Sequence, residues 1–395
     1  MKTEYDVIVV GAGPAGSLTA WHAAKAGARV LMVEKKQEIG APLRCAEGVS
    51  KNGLDKCGIK LDRKWVSAEM VGAKVVSPGG NIFRLNEKSA GNEVGFVLER
   101  HLFDKAMAFE AVKAGAEIKL KTSVTGLQMD GSKITGVHMV DNGVHKDVTA
   151  HCIVGADGYE SQVGRWGGID TTLKPGDITT CYQYRLANID IEPDYCEFII
   201  GSAAPGGYIW IFPKGEGIAN VGIGVLLNKL KHPGDVKMYL DKFIANDKRL
   251  CKGQPVEAIA GAVSVSAPLD KVTRDNMLLV GDAARIIDPI TGGGIINGCQ
   301  SGMFAGRVLG ECAKTGDFSD AALQPYEKLW RDAMEERLWR NWMAKEKFLT
   351  LQDKVLDGIV ETLNESDIDK VTVFSLLKAI KEKHPEVVKE FEDLI

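Results

Sequence analysis

The chain has no apolar run approaching the roughly 18–20 residues that cross a bilayer as a helix. Its opening stretch, YDVIVVGAG, runs directly into a strand pattern, so no signal peptide is expected. Basic residues are not in excess: 49 Lys and Arg stand against 53 Asp and Glu, for a net charge of −4. That balance offers no footprint for nucleic acid, which requires a basic face. Eight cysteines (Cys45, Cys57, Cys152, Cys181, Cys196, Cys251, Cys299 and Cys312) are scattered without C-x2-C spacing, and the seven histidines show no H-x-x-H or triad-like context. No metal site is expected from them. Without an export signal the thiols are expected to be reduced, in a cytoplasmic protein, most of them acting as small buried hydrophobes. Aromatic residues are only 7% of the chain, so the places where they concentrate carry information.

What is present points to a soluble globular protein. At 395 residues, with 45% hydrophobic and 26% charged residues, the chain exceeds one ordinary core and suggests two or three domains. Its 44 glycines cluster at particular turns. Residues 5–34 read as a complete βαβ unit: a β-branched strand (DVIVV), then Gly11, Gly13 and Gly16 in G-x-G-x-x-G, then a helix lined by Ala15, Ala20, Ala23 and Ala24, then RVLMVE ending on Glu34. The glycines allow a tight turn, the approach of a pyrophosphate and close helix–strand packing, and the acid is placed for ribose hydroxyls. The fold class expected is α/β, with a Rossmann-like dinucleotide domain.

Two later stretches carry a resemblance. HCIVGADGYESQVGR (151–165) is a strand entering a turn at Asp157-Gly158, and NMLLVGDAARIIDPITGGGIING (276–298) is a strand, a Gly-Asp turn at Asp282 and a glycine-rich helix start. Together with G-x-G-x-x-G, in this order, they resemble the p-hydroxybenzoate hydroxylase superfamily of FAD enzymes across the first 310 residues. The resemblance implies that FAD is bound by Gly11, Gly13, Ala15, Gly16 and Glu34. It also implies roles for Arg100 at a helix start, Val124 against adenine, Asp157 and Asp282. Gly293, Gly294 and Ile295 would open a helix towards the flavin, where free N–H groups and the dipole favour negative charge.

The superfamily includes oxygenases and reductases, so the fold leaves the reaction open. Arg285 with DPITGGGIING, RCAEGVS (44–50) and YIWIFPKGEGIANVGIG (208–224) is similar to the archaeal geranylgeranyl reductase family, which saturates isoprenoid chains of ether-linked membrane lipids. That resemblance implies an isoprenoid ether phospholipid substrate and contact of Cys45, Ala46 and Gly48 with FAD. Delivery of hydride to an unactivated alkene also needs a proton, for which Cys45 and Glu47 are candidates. In YIWIF, strand alternation puts Tyr208, Trp210 and Phe212 on one face and Ile209 and Ile211 on the other. With Gly222 and Gly224, these rings are expected to line an apolar channel for a prenyl chain, part of the row serving as core. The alternatives are an aromatic or terpenoid monooxygenase on the same scaffold, or a flavin-bearing lipid carrier without turnover. Only one G-x-G-x-x-G is present, so the electron donor, NAD(P)H or a ferredoxin-like reductant, would bind transiently.

The expected domains are a discontinuous FAD domain (1–75, 97–175 and 270–320), an antiparallel-sheet substrate domain (76–96 and 176–269) and a C-terminal helical region (321–395). In the last, Tyr326, Trp330, Ala333, Met334, Leu338 and Trp342 make one apolar helix face, expected to pack on the body of the protein, with a lipid-facing gate as the alternative. A second amphipathic segment spans 367–395 and is greasiest at 371–380. Its charge is mixed, so peripheral, reversible contact with the inner face of the cell membrane is the most expected of it.

Overall fold

The structure, a computed structural model, describes residues 4–86 and 95–365; the segment 367–395 read above as amphipathic lies outside them. The chain divides into two compact units. One comprises the residues up to Leu43, Arg100–Leu173 and Ala267–Trp339; the other comprises Arg44–Glu99, Lys174–Ser266 and the residues from Arg340 onward.

The first unit is built on a sheet in the order Thr273–Arg274, Met277–Leu279, Val144–Gly155, Glu4–Val10, Val30–Val33, Glu117–Lys119. Its central strands are parallel, and Lys133–Asp141 and Thr122–Asp130 extend Val144–Gly155 as an antiparallel meander. Parallel strands covered on both sides are apolar throughout, and Val30–Val33 is buried at every position. Side chains alternate between the faces. Val7, Val9 and Met32 join a core with the helices Pro14–Lys25 and Ile295–Thr315, while Ile8, Val10, Leu31 and Val33 pack with Ile134 and Val148 on the other side.

The helical face read at 326–342 belongs largely to this unit's core. Tyr326, Trp330, Met334 and Leu338 are buried in it, whereas Ala333 is exposed and Trp342 only half-buried. The reason is a wide turn of π geometry at Arg331–Glu335. A spacing of four residues drifts around an ordinary helix of 3.6 residues per turn, and the wider turn brings the face back into phase.

The second unit holds a seven-stranded sheet in the order Gln254–Ser264, Ile178–Ala187, Ile218–Leu226, Tyr208–Gly215, Tyr195–Ile200, Gly72–Val76, Ile82–Asn86. It is antiparallel, as expected, except where Tyr195–Ile200 and Gly72–Val76 run parallel. One face is apolar: Ile209, Ile211, Val221 and Ile223 pack with Val236 and Leu240 of the helix Asp235–Asn246. The expected boundaries also shift. Residues 44–75 belong to this unit, because Gly48–Ser50 and Val66–Glu69 both pair with Gly95–Leu98. Residues 321–339 belong to the first unit, because their rings complete its core.

Candidate active site

In the first unit, the motifs read from sequence converge. Gly11 has φ +111°, and a Cβ there would lie 2.3 Å from the Ala156 carbonyl oxygen. Only glycine allows the first strand to turn so close to the Ala156-Asp157 loop. A Cβ on Gly281 would lie 2.8 Å from that of Ala15, and one on Gly294 would lie 2.7 Å from Asp282 Oδ1. The glycine loop, the Gly-Asp turn and the second helix start are therefore neighbours. No side chain caps the helix Pro14–Lys25 at Gly13 or the helix Ile295–Thr315 at Gly294. Both present backbone N–H groups and a positive dipole end.

The acidic residues are placed by backbone donors. Glu34 accepts from Ala12 N (3.0 Å) on one carboxylate oxygen and from Lys36 N (3.0 Å) on the other, and each oxygen keeps a lone pair for a ribose hydroxyl. Asp157 Oδ2 accepts from Val163 N at 3.0 Å, while its Oδ1 is buried without a hydrogen-bond partner. Burial raises the Asp157 carboxyl above its usual range, against the pull of the Val163 N–H. Burial likewise raises Asp282, opposed by the positive charges of Arg100 and Arg285. Arg100 opens the helix Arg100–Lys113 and forks onto Asp104 at 2.7 and 2.8 Å. Val124 sits on Thr122–Asp130 opposite Met139. A glycine cradle, two uncapped helix starts and an orphaned buried carboxylate oxygen fit a dinucleotide such as FAD.

Two arginines that the sequence reading gave no binding role hold these loops. Arg285, itself at φ +58° and buried, donates to Tyr159 O (2.8 Å), Asp282 O (3.1 Å) and Thr171 O. It ties the Asp-Gly turn to the Gly-Asp turn. Arg337 donates to Asp288 Oδ2 and Asn297 Oδ1, both at 3.1 Å, and so braces the glycine-rich loop against its helix.

In the second unit, the aromatic row lies on one face as expected. Cross-strand register sets three rows on that face: Cys181, Gly224 and Tyr208; Gln183, Gly222 and Trp210; Arg185, Asn220 and Phe212. Phe198, which sequence reading missed, extends the row, with ring centroids 5.5 Å from Tyr208 and 5.3 Å from Phe212. Gly222 provides the floor for Trp210, since a Cβ there would lie 2.3 Å from indole Cζ2. The rings are less open than a channel lining suggests: Trp210 is 6% and Phe212 8% exposed, with Tyr208 half-buried.

The same face meets the turn Cys45-Ala46-Glu47-Gly48. Trp210 Nε1 donates to Gln183 Oε1 (2.7 Å), and Gln183 Nε2 donates to Cys45 O (3.3 Å). Asn220 Nδ2 donates to Ala46 O (3.2 Å), and a Cβ on Gly48 would be 3.0 Å from the Phe212 ring. Glu47 is fully buried at φ +77°. A non-glycine residue there costs on the order of 1–2 kcal/mol, which its bonds offset. Its Oε2 accepts from Lys214 Nζ (2.8 Å), Arg185 Nη2 (3.0 Å) and Asn220 Nδ2 (2.8 Å), while its own N–H donates to Cys45 Sγ (3.2 Å). Lys214 also reaches Glu99 Oε1 (2.8 Å) and Leu98 O. Burial pushes the Glu99 carboxyl up, but its bond to Lys214 and the charges of Lys214 and Arg185 outweigh that and hold it below its ordinary value. Glu47, read from sequence as a candidate proton donor, is a buried side chain with three donors on one oxygen.

Four of the other thiols are held protonated by burial. Burial pushes Cys181 up to about 12, Cys57 to about 12 and Cys312 to about 11, and drives Cys152 further still. These act as small apolar side chains. Among the described residues there is no group of three potential metal ligands, and no helix is long and apolar enough to cross a membrane.

Fold and cradle define an FAD-dependent oxidoreductase, and residues 6–180 match the FAD dependent oxidoreductase family model. Residues 177–263, which carry the aromatic row, match the geranylgeranyl reductase catalytic domain. The chain is 47% identical to the digeranylgeranylglycerophospholipid reductase of Thermoplasma acidophilum, over 99% of each chain. It is 46% identical to that of Methanocella arvoryzae, over 100% of each. A crystal structure of a geranylgeranyl bacteriochlorophyll reductase-like protein from Thermoplasma acidophilum superposes with a TM-score of 0.94 at 47% identity, covering 99% of each chain. The chain belongs to the digeranylgeranylglycerophospholipid reductase family.

Proposed function

We propose that this protein is an FAD-dependent reductase that saturates the C=C bonds of geranylgeranyl chains in ether phospholipids of archaeal membranes. The observation that carries the reading is end-to-end identity near one half with reductases of that name. FAD, once reduced, supplies the hydride. The chain's own residues bind, orient and protonate. Gly11, Gly13, Ala15 and Gly16 with the helix start at Ile295 would hold the phosphates of FAD and favour negative charge beside them, and Glu34 would accept from its ribose. Arg100, Val124, Asp157, Asp282, Gly293 and Gly294 complete that cradle.

On the substrate side, the isoprenoid chain lies along the face of Tyr208, Trp210 and Phe212, with Gly222 and Gly224 leaving room beneath the Trp210 ring. A chain without polar groups gains affinity almost wholly from burial, about 0.8 kcal/mol per CH2. Aromatic walls provide that area at little rotamer cost. Cys45 is the group that gives the proton, its sulfur held by the Glu47 N–H. Electrons arrive from NAD(P)H or a ferredoxin-like reductant, and the protein meets its lipid by reversible contact with the inner face of the cell membrane.

The test is optical. Protein reduced under anaerobic conditions should regain the oxidised flavin spectrum when a geranylgeranyl ether lipid is added. It should stay bleached with the fully saturated lipid. Reoxidation that requires oxygen would replace this reading with the oxygenase alternative.

A further inference from the structure

We infer that Glu47 is a positioning residue, whose buried carboxylate fixes the Cys45 turn for the reaction through Lys214, Arg185 and Asn220. This rests on the role proposed for Cys45. Three observations converge on it. A left-handed position that glycine or asparagine fills most easily is occupied by glutamate, so the side chain itself is what the site uses. Three donors on three adjacent strands meet one oxygen of that side chain: Lys214 from Tyr208–Gly215, Asn220 from Ile218–Leu226 and Arg185 from Ile178–Ala187. The backbone of the same turn is then pinned at each step. Cys45 O is held by Gln183, Ala46 O by Asn220, Glu47 N–H lies on Cys45 Sγ, and Glu47 O accepts from Leu98 N at 2.9 Å.

The same network reassigns part of the aromatic row. Trp210 holds Gln183, which holds the Cys45 carbonyl, and Phe212 packs its edge on Gly48. The rings therefore support the thiol from beneath as well as facing substrate. Such supporting contacts hold a reacting group within fractions of an ångström of its working position.

The experiment compares the FAD-loaded wild type with Glu47→Gln, which keeps the shape of the side chain and removes its charge. Each protein is treated with iodoacetamide, and labelling of individual cysteines is followed by peptide mass spectrometry. Expected is a rise of about fivefold or more in labelling at Cys45, with exposed Cys251 and proton-holding Cys181 unchanged. In steady state, kcat should fall about tenfold while KM stays within about threefold, the pattern of a displaced reacting group rather than lost binding. Gln183→Leu leaves every charge in place and removes the donor to the Cys45 carbonyl. It should give the same Cys45-selective rise even if Glu47→Gln fails to fold. Labelling at Cys45 that matches wild type in the folded variants, or that rises equally at all three thiols, overturns the assignment. If no alkene is reduced by any form, the reductase reading fails, and the labelling still decides whether Glu47 sets the turn.

Discussion

Lys214→Met tests the buried charge cluster most sharply. The ammonium is 2% exposed and has three acceptors: Glu47 Oε2 and Glu99 Oε1, both at 2.8 Å, and the Leu98 carbonyl. Methionine fills most of the volume but returns none of these bonds. Glu47 would keep Arg185 at 3.0 Å and Asn220 at 2.8 Å, and Glu99 would keep Arg185 at 3.6 Å. Removing one partner of a buried pair costs about 3–5 kcal/mol. The donors that remain place this case at the low end, about 3 kcal/mol. Urea unfolding of the FAD-loaded protein at neutral pH, followed by tryptophan fluorescence, measures it. The double variant Lys214→Met/Glu47→Gln removes both charges and should cost less than the sum of the singles by at least about 1 kcal/mol. A single-variant loss below about 1 kcal/mol with additive behaviour in the double would refute the claim that these groups form one anchored unit.

Gly222→Ala should displace the Trp210 indole, because the new methyl would sit 2.3 Å from Cζ2. A loss of about 1–3 kcal/mol and a shifted tryptophan emission maximum are expected. Gly11→Ala, with φ +111° and backbone oxygen 2.3 Å from the added carbon, should yield protein that loses its visible flavin absorbance on gel filtration. Burial, with the charges of Arg307 and Lys25, lowers His22 from 6.5 to about 4, and its Nε2 is buried without a partner. The unfolded chain therefore binds this proton first. The histidine costs nothing above pH 6.5 and erodes stability as pH falls from there towards 4. His22→Gln should flatten the dependence of the urea midpoint on pH in that window. Glu99 acts lower: its depressed value contributes stability above the usual glutamate range, lost as pH falls through the folded value. Lys214→Met should weaken that acid sensitivity.

The nucleotide unit was legible because each of its motifs is local. Gly11, Gly13, Gly16 and Glu34 lie within one βαβ unit, and strand alternation alone placed Tyr208, Trp210 and Phe212 opposite Ile209 and Ile211. What escaped reading was non-local. Arg285 could be noted as unusual, but not that it bridges two loops by donating to carbonyls more than a hundred residues before it in the chain. Gln183, Arg185 and Lys214 sit as polar residues in apolar strands, a pattern that marks a burdened sheet face without naming its partner. Glu47 was singled out for its acidity, and only its left-handed backbone and three donors reveal an anchor. On the helical face at 326–342, Ala333 falls outside the buried row, because the wide turn at Arg331–Glu335 carries that row from Trp330 to Met334.

The most direct measurement is the mass of the lipid after reaction. Dithionite-reduced protein, held without oxygen, is mixed with a geranylgeranyl ether phospholipid, and the product is analysed by mass spectrometry. The account predicts product heavier by one H2 for each double bond saturated, with no oxygen incorporated. Lipid recovered at its starting mass from FAD-loaded, reduced protein, or product that carries an added oxygen atom once air is admitted, contradicts it.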